Sequence, residues 1–200
     1  MIIVNDKFIL RGCPQKPRQP LFKKRFQMTP EKRNLINGLA LNFRNAMGID
    51  EEKFDIEKTV NMIGGKIEYI DDGFNKEEAV VKTESGGFFI RIDKNSPKPR
   101  QRFSVARELG RLFMHMHYGY DEWERVEPGE RGPAPAVSYT DSEEEANEFA
   151  AAFLMPSLRF IEIAEENSDG KFFCPEKIAE RFDVYKGAVI YRGKNLGLWK

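Results

Sequence analysis

Cysteine and histidine are both scarce in this chain of 200 residues. The two cysteines, Cys13 and Cys174, form no Cys-x-x-Cys pair. Two distant cysteines cannot build a disulfide-rich scaffold, and they favour free thiols in a reducing cytoplasm. The two histidines, His115 and His117, are two positions apart and would point to different sides of a helix. The sequence therefore disfavours a metal site built from histidines.

Long apolar runs and a signal peptide are also missing. No segment approaches the roughly 20 apolar residues of a membrane-spanning helix. The first ten residues lack the basic start and the cleavage site of a secretory leader. Basic and acidic residues balance at 32 each, so the chain as a whole has no bulk attraction for nucleic acid or an acidic membrane. We expect a cytoplasmic globular protein that makes no membrane contact.

Charge is nevertheless uneven along the chain. Acidic residues are absent between Lys7 and Pro30, where seven basic residues occur (Lys7, Arg11, Lys16, Arg18, Lys23, Lys24 and Arg25). Prolines 14, 17 and 20 argue against a helix there, so we predict an extended basic arm over residues 1–28. Such an arm could contact nucleic acid or an acidic partner. A solvated tail without specific function is the preferred interpretation.

The remaining sequence predicts an α+β fold. Residues 29–156 are expected to form one domain, with a long surface loop over 119–140, and residues 157–200 a helical segment packed on it. Three short strands are predicted to form a small antiparallel sheet, because turn residues separate them. The predicted elements are helices starting at Thr29 and Asp55, strands 66–70, 78–82 and 87–92, and helices 100–117, 142–154, 158–165, 176–182 and 185–192.

The most informative motif is Arg107-Glu108-Leu109-Gly110-Arg111. In zinc peptidases the pattern His-Glu-x-x-His puts two imidazoles on one helix face, and the intervening Glu polarises a zinc-bound water. Here both histidine positions are arginine. A guanidinium keeps its proton at physiological pH and offers no lone pair to a metal. We therefore expect neither zinc nor another cofactor at this helix.

A second motif lies in the acidic helix predicted from Ser142. Its alanines would allow close approach to another helix, and a carboxylate at Glu145 is a candidate third ligand of a zinc site. Ser142-x-x-Glu145 is also a capping box, in which this Glu only closes a helix N-terminus. Capping or salt bridging is the preferred role.

Together the two motifs resemble the ImmA/IrrE family of HExxH metallopeptidase-like proteins. Residues 102–111 are similar to the family pattern R-F-x-x-A-H-E-L-G-H, with Arg at both His positions, and His115 falls on a further His that follows in the family pattern. Residues 145–156 match the pattern E-A-N-x-F-A that ends in Met-Pro. The resemblance implies a gluzincin-like metallopeptidase fold with helix-turn-helix-like C-terminal helices. It also implies a zinc site and a role in cleaving or opposing helix-turn-helix repressors.

Mapped onto this chain, the resemblance puts the zinc-ligand positions at Arg107, Arg111 and Glu145, or Glu144 in another helix register. The catalytic position falls on Glu108. Two arginines carry the same charge as Zn²⁺ and bind carboxylates bidentately. We therefore predict a salt-bridge cluster of both arginines with Glu108, Glu144 or Glu145. The alternative is that they are ordinary surface residues.

His115 follows Arg111 by one helical turn and is expected near this site, as a packed side chain rather than as a ligand.

Three functions fit these observations. The preferred one is a catalytically inactive binding module, which by family resemblance would act on a helix-turn-helix repressor or a toxin-antitoxin-like partner of a mobile element such as a phage. The second is an active protease with an unorthodox site and Glu108 as base. We expect the arginines to lower the pKa of Glu108, which counts against this function. The third is a DNA-binding regulator that uses the basic arm and the C-terminal helices, although their apolar residues favour packing.

Overall fold

The computed structural model describes residues 28–71, 78–130 and 139–199, with only the backbone described at residues 139 and 140. The predicted basic arm up to residue 27 lies outside the described residues. Within them, no helix has the length and apolarity that crossing a membrane requires. In chain order the elements are α1 (Pro30–Ala46), α2 (Ile56–Met62), β1 (Gly65–Ile70), β2 (Ala79–Lys82), β3 (Phe88–Asp93), α3 (Lys98–Met114), α4 (Asp121–Glu124), α5 (Tyr139–Leu154), α6 (Ser157–Glu166), α7 (Pro175–Phe182) and α8 (Lys186–Asn195).

Helix α1 begins where the sequence predicts. The Thr29 side chain accepts a hydrogen bond from the backbone N–H of Lys32 at 3.3 Å, which caps the helix. The buried face carries Ile36, Ala40 and Arg44, whereas Leu35 is 75% exposed. The helix predicted to start at Thr29 is therefore present, and Leu35 lies outside its buried face. Met28, predicted as the end of the arm, is buried in the core.

Among the described residues, the sheet has three strands in the order β1-β3-β2. Strands β2 and β3 are antiparallel, as predicted, and a tight turn between Thr83 and Gly87 connects them. Strand β1 pairs with β3 in parallel. The predicted α+β class is confirmed, but the sheet is mixed and not purely antiparallel. The reason is that β3, in which Ile90 and Ile92 are fully buried, takes the central position. It pairs with β1 on one side and with β2 on the other.

The described part of the segment predicted as one long surface loop packs against the sheet. Trp123 on α4 is buried, and its indole Nε1 donates to the Gly86 carbonyl at 2.9 Å. The Lys82 ammonium donates to the Trp123 carbonyl at 2.7 Å. Residues 131–138 of this segment lie outside the described residues. Helix α5 begins at Tyr139, so Ser142 and Glu145 lie within the helix and the capping-box interpretation is wrong.

Helix α3 is the central element and packs closely against α5. A Cβ at Gly110 would come within 3.0 Å of the Phe149 side chain, so glycine lets the two helices approach. The core continues into the C-terminal helices, where the rings of Phe160 and Phe182 stack with their centroids 5.9 Å apart. This close packing fixes the side chains that α3 and α5 direct toward each other.

Candidate functional site

The two motif helices bring the arginines of α3 to the carboxylates of α5. Arg107 and Arg111 are one turn apart and therefore lie on one face of α3. Glu143, in the second turn of α5, faces both of them. Glu78, directly before β2, approaches Arg107 from the sheet side. Three separate parts of the chain thus meet at the position where the motif would hold a metal.

These residues form a network that we call the arginine–carboxylate cluster (Glu78, Arg107, Glu108, Arg111 and Glu143). Nη1 of Arg107 donates to Glu143 at 3.2 Å, its Nε donates to Glu108 at 3.4 Å, and its Nη2 donates to Glu78. Nη2 of Arg111 donates to the other oxygen of Glu143, and its Nε lies 3.7 Å from Glu108. Two guanidiniums are therefore shared among three carboxylates.

Glu108 is the most deeply buried member of the cluster, with no exposed surface. Burial raises the pKa of its carboxyl to about 7, and Glu78 and Glu143 add to the rise, while Arg111 and Arg107 oppose it. The sequence argument predicted a lowered pKa because of the arginines, and this prediction is wrong because desolvation outweighs their attraction. One oxygen of Glu108, Oε2, is buried without a hydrogen-bond partner.

Arg107 is the more exposed of the two arginines, with 21% of its side chain accessible against 6% for Arg111. Burial alone would lower the pKa of Arg107, but Glu108, Glu143 and Glu78 together raise it above its usual value. The guanidinium is thus charged at every physiological pH. Because Glu143 is also 29% exposed, the cluster reaches the surface along the Arg107–Glu143 side.

The expected carboxylate partners differ from the observed ones. Glu145 pairs with Lys32 of α1 and lies 3.9 Å from the His115 imidazole. Glu144 is half-buried and takes part in none of the ion pairs described for the cluster. Glu143, one turn before Asn147, is instead the carboxylate that meets both arginines, because the helical register of α5 turns it toward α3. A cluster with Glu108 exists as predicted, but its α5 member is Glu143.

His115 lies near the cluster as a packed residue. It is buried at the end of α3, and burial lowers the pKa of its imidazole although Glu145 acts in the opposite direction. Its Nε2 atom makes no hydrogen bond among the described residues. His115 therefore packs at the end of α3 beside Glu145.

Sequence reasoning missed two acidic residues and one aromatic residue of this site. Glu143 could have been found from the sequence, because it lies four positions before Asn147 of the second motif. In the structure Asn147 donates to it at 3.3 Å. No sequence signal indicated Glu78, because only the folding of the sheet brings this residue close to α3. Tyr185 is also at the margin. Its ring packs edge-on against Phe103, with centroids 5.3 Å apart, and burial raises the pKa of its hydroxyl although Arg100 and Arg107 act in the opposite direction.

The side chains present do not fit a zinc ion. Guanidinium nitrogens have no lone pair for a metal, and those of Arg107 and Arg111 point at carboxylates. In the described parts of the chain, no group of three or more His, Cys, Asp or Glu residues is arranged to hold a metal ion. The cluster instead joins opposite charges directly, and this arrangement can fix α3, α5 and the sheet relative to one another.

Comparison with known proteins places this geometry in a family. No curated protein sequence matches the chain. Among solved structures, a Mycobacterium tuberculosis transcriptional regulator shares the fold with a TM-score of 0.50 and 14% sequence identity. The alignment covers 82% of this chain, which spans about half (47%) of that protein. The family model for the IrrE N-terminal-like domain matches residues 72–194, which include both motif helices and Glu78. The chain therefore belongs to the IrrE N-terminal-like domain family.

Proposed function

We propose that this protein is a catalytically inactive member of its family that binds a protein partner without cutting it. The partner class is a helix-turn-helix repressor or a toxin-antitoxin-like partner, by family resemblance. That a protein sharing the fold is named a transcriptional regulator agrees with a regulatory role.

The observation that carries the proposal is the arginine–carboxylate cluster itself. A site that had merely decayed would leave its buried Glu108 facing apolar residues or a void, at a cost of several kcal/mol for an unpaired buried charge. Here both arginines engage Glu108 and Glu143, and the packing around Gly110 is kept. Two fixed positive charges take the position of the ion, so the fold needs no zinc.

An active protease is the second candidate, and one observation favours it. The Glu108 carboxyl has a pKa of about 7, which suits a general base or acid near neutral pH. Against it, Glu108 has no exposed surface and Arg107 lies between it and the exposed side of the cluster. A base without access to water or substrate cannot take a proton from either.

Metal analysis separates the two candidates. Purified protein incubated with excess zinc and then desalted is expected to retain less than about 0.1 zinc per chain, since the part of the chain that the structure describes contains no ligand set. The matched positive control is Arg107→His/Arg111→His, which restores two imidazoles beside Glu143 and is expected to bind about one zinc per chain. Stoichiometric zinc on the unaltered protein would overturn the proposal.

Binding and cleavage are then measured together on a panel of purified helix-turn-helix repressors. We expect at least one repressor to bind with micromolar or tighter affinity and to stay intact after prolonged incubation. Arg107→Gln removes the exposed positive charge of the cluster and should weaken binding roughly tenfold, whereas Glu180→Gln, on the exposed face of α7, should not. Cleavage of a repressor would refute inactivity, and steeply salt-dependent binding to DNA alone would favour the DNA-binding alternative.

A further inference from the structure

The outer side of helix α1 carries no charged side chain beyond its first turn. Between residues 34 and 46 only Arg44 is charged, and it is buried, although 32% of the whole chain is charged. Surfaces that expose apolar side chains and lack charge are typical of contacts between proteins. The exposed residues of this stretch, which we call the uncharged face, are Asn34, Leu35, Gly38, Leu39, Leu41, Asn42, Asn45 and Ala46.

Three leucines make the uncharged face apolar. Leu35, Leu41 and Leu39 are 75%, 49% and 40% exposed, and Leu158 of α6 is the other strongly exposed leucine among the described residues. Helix α1 packs on α5 through its opposite side, from which Arg44 donates to a backbone carbonyl of α5 at 2.9 Å. The contact with α5 therefore cannot cover these leucines as well.

Gly38 lies in the middle of the uncharged face. Glycine is the least favourable residue inside a helix after proline, and it is used where another group approaches too closely for a side chain. In the described structure, a Cβ at Gly38 would meet no atom within 4 Å, whereas a Cβ at Gly110 would touch Phe149 at 3.0 Å. The described part of a single chain thus gives no reason for glycine here. A helix of another molecule that crosses α1 at this point would give one.

The chemistry of the uncharged face suits a second copy of the same face. In a two-fold symmetric contact a patch meets its own copy, so a patch of one charge repels itself. The uncharged face avoids this repulsion. Its asparagines, which include Asn42 and Asn45, carry both hydrogen-bond donors and acceptors. An amide can therefore pair with an amide, which two lysines or two glutamates cannot do.

We propose that the uncharged face is the interface of a homodimer, in which α1 of one chain crosses α1 of a second copy at Gly38. Leu35, Leu39 and Leu41 surround the crossing point and become buried there. Residues 34–46 span only about 20 Å of helix, which is short for a standard interface of ~800 Å² per partner. We therefore expect a weak dimer, with a dissociation constant on the order of 10–100 μM. Dimerisation requires neither a repressor nor the arginine–carboxylate cluster and so goes beyond the proposed function.

Sedimentation equilibrium of the full-length protein, from about 1 to about 500 μM, tests the dimer. We expect a monomer–dimer equilibrium. Its constant should change less than about twofold between roughly 0.05 and 0.5 M salt, because no ion pair holds the uncharged faces together. A protein that is still monomeric at the highest concentration, or a dimer that salt dissociates, would overturn the proposal.

A pair of double variants locates the interface. Leu35→Glu/Leu39→Glu brings like charges together at the crossing point and should weaken association at least about tenfold. Met62→Glu/Leu158→Glu is the matched control, because it adds the same charge at two side chains of other helices that are 59% and 80% exposed. The control should change the dissociation constant less than about twofold. Equal losses in both variants would contradict an interface on α1.

A substitution at Gly38 separates a contact from a weak point in the helix. Glutamine favours a helix more than glycine does, so Gly38→Gln should raise the Tm of the monomer by about 2–4 °C at low protein concentration. Its side chain would also hold the two helices apart, and association should weaken at least about tenfold. A raised Tm with unchanged association would mean that no helix crosses at Gly38.

Photo-crosslinking identifies what occupies the uncharged face. A benzophenone amino acid at Asn42 is irradiated in a mixture of unlabelled and isotope-labelled full-length protein, and the linked peptides are mapped by mass spectrometry. We expect links between an unlabelled and a labelled chain, with α1 on both sides. Links within one chain, or links to another surface of the second chain, would overturn the proposal. Because no repressor is present, a failure of the proposed function would leave these results unchanged.

Discussion

Two buried ionic groups on the same helix are built differently. Five residues after Glu143 of the arginine–carboxylate cluster, Glu148 pairs with Arg192 of α8, and both side chains are almost fully buried. Arg192 donates from all three of its nitrogens, to the Met155 carbonyl at 3.0 Å, to Glu148 at 3.1 Å and to the Ser157 hydroxyl at 3.0 Å.

The Glu148–Arg192 pair is satisfied on both sides, whereas the cluster is not. Glu148 also accepts from Asn37 and Asn195, each at 2.8 Å. In the cluster, Glu108 Oε2 and Arg111 Nε are buried without hydrogen-bond partners. A fully connected buried network rigidifies a fold, and a partly connected one lowers stability. The comparison indicates that the Glu148–Arg192 pair stabilises the fold. The cluster stabilises it less, because two of its buried polar atoms have no hydrogen-bond partner.

The largest effect is expected from breaking the satisfied pair. Arg192→Ala leaves the buried Glu148 with only Arg33, at 3.4 Å, as a charged partner and should lower the free energy of unfolding by about 3 kcal/mol, as measured by urea denaturation. Arg181→Ala, on the exposed side of α7, is the matched control and should change it by less than about 0.5 kcal/mol. A loss below about 1 kcal/mol for Arg192→Ala would show that the two groups do not differ as argued.

The second effect is a pH dependence that belongs to the cluster. The Glu108 carboxyl has a pKa of about 7 in the folded state and about 4.3 when unfolded, so folding favours its protonated form. Its contribution to stability is complete below about pH 4 and is lost as the pH rises through about 7, on the order of 3 kcal/mol in all.

The measurement compares unfolding free energies of the wild type and Glu108→Gln between pH 4 and 8. The glutamine stays neutral at every pH. The variant should therefore gain free energy of unfolding relative to the wild type as the pH rises. Glu180→Gln serves as a control on an exposed helix face. Parallel stability curves for wild type and Glu108→Gln would contradict the raised pKa.

A third experiment decides which acidic residue of α5 belongs to the cluster. Glu143→Ala removes the carboxylate that meets both arginines and should cost about 2 kcal/mol, because Arg111 is buried and keeps only Glu108. Glu145→Ala breaks a pair with the half-exposed Lys32 and should cost about 1 kcal/mol or less. Thermal unfolding at pH 7 reports both, and the reverse order would favour the sequence-based choice of Glu145.

The smallest effect is expected at the surface. Lys186 at the start of α8 pairs with Glu176, and both side chains are about half exposed. Lys186→Ala should change the free energy of unfolding by less than about 1 kcal/mol, because water screens an exposed pair. Chemical denaturation at low and high salt measures this, and a larger, salt-insensitive loss would mean that burial does not separate the two kinds of ion pair.

Much of the fold could be predicted from local signals. Thr29-Pro30 predicted the start of α1, and the C-terminal helices lie within two or three residues of their predicted bounds. The pairing of β1 with β3 could not be predicted, because strand order depends on which strand is buried most, not on the turn between neighbours in the chain. The same limit applied to the face of α1, which buries Ile36, Ala40 and Arg44 and leaves Leu35 exposed.

The candidate site, like the fold, has features that the sequence predicts and features that it does not. That Arg107 and Arg111 share one helix face and flank Glu108 follows from helical spacing alone, and so does the loss of metal ligands from arginine chemistry. Only the tertiary structure decided that Glu143 and Glu78 complete the cluster, since a helix register and a strand from another part of the chain bring them there. It also decided the pKa of Glu108, because desolvation depends on burial, and burial is a property of packing rather than of neighbours in the sequence.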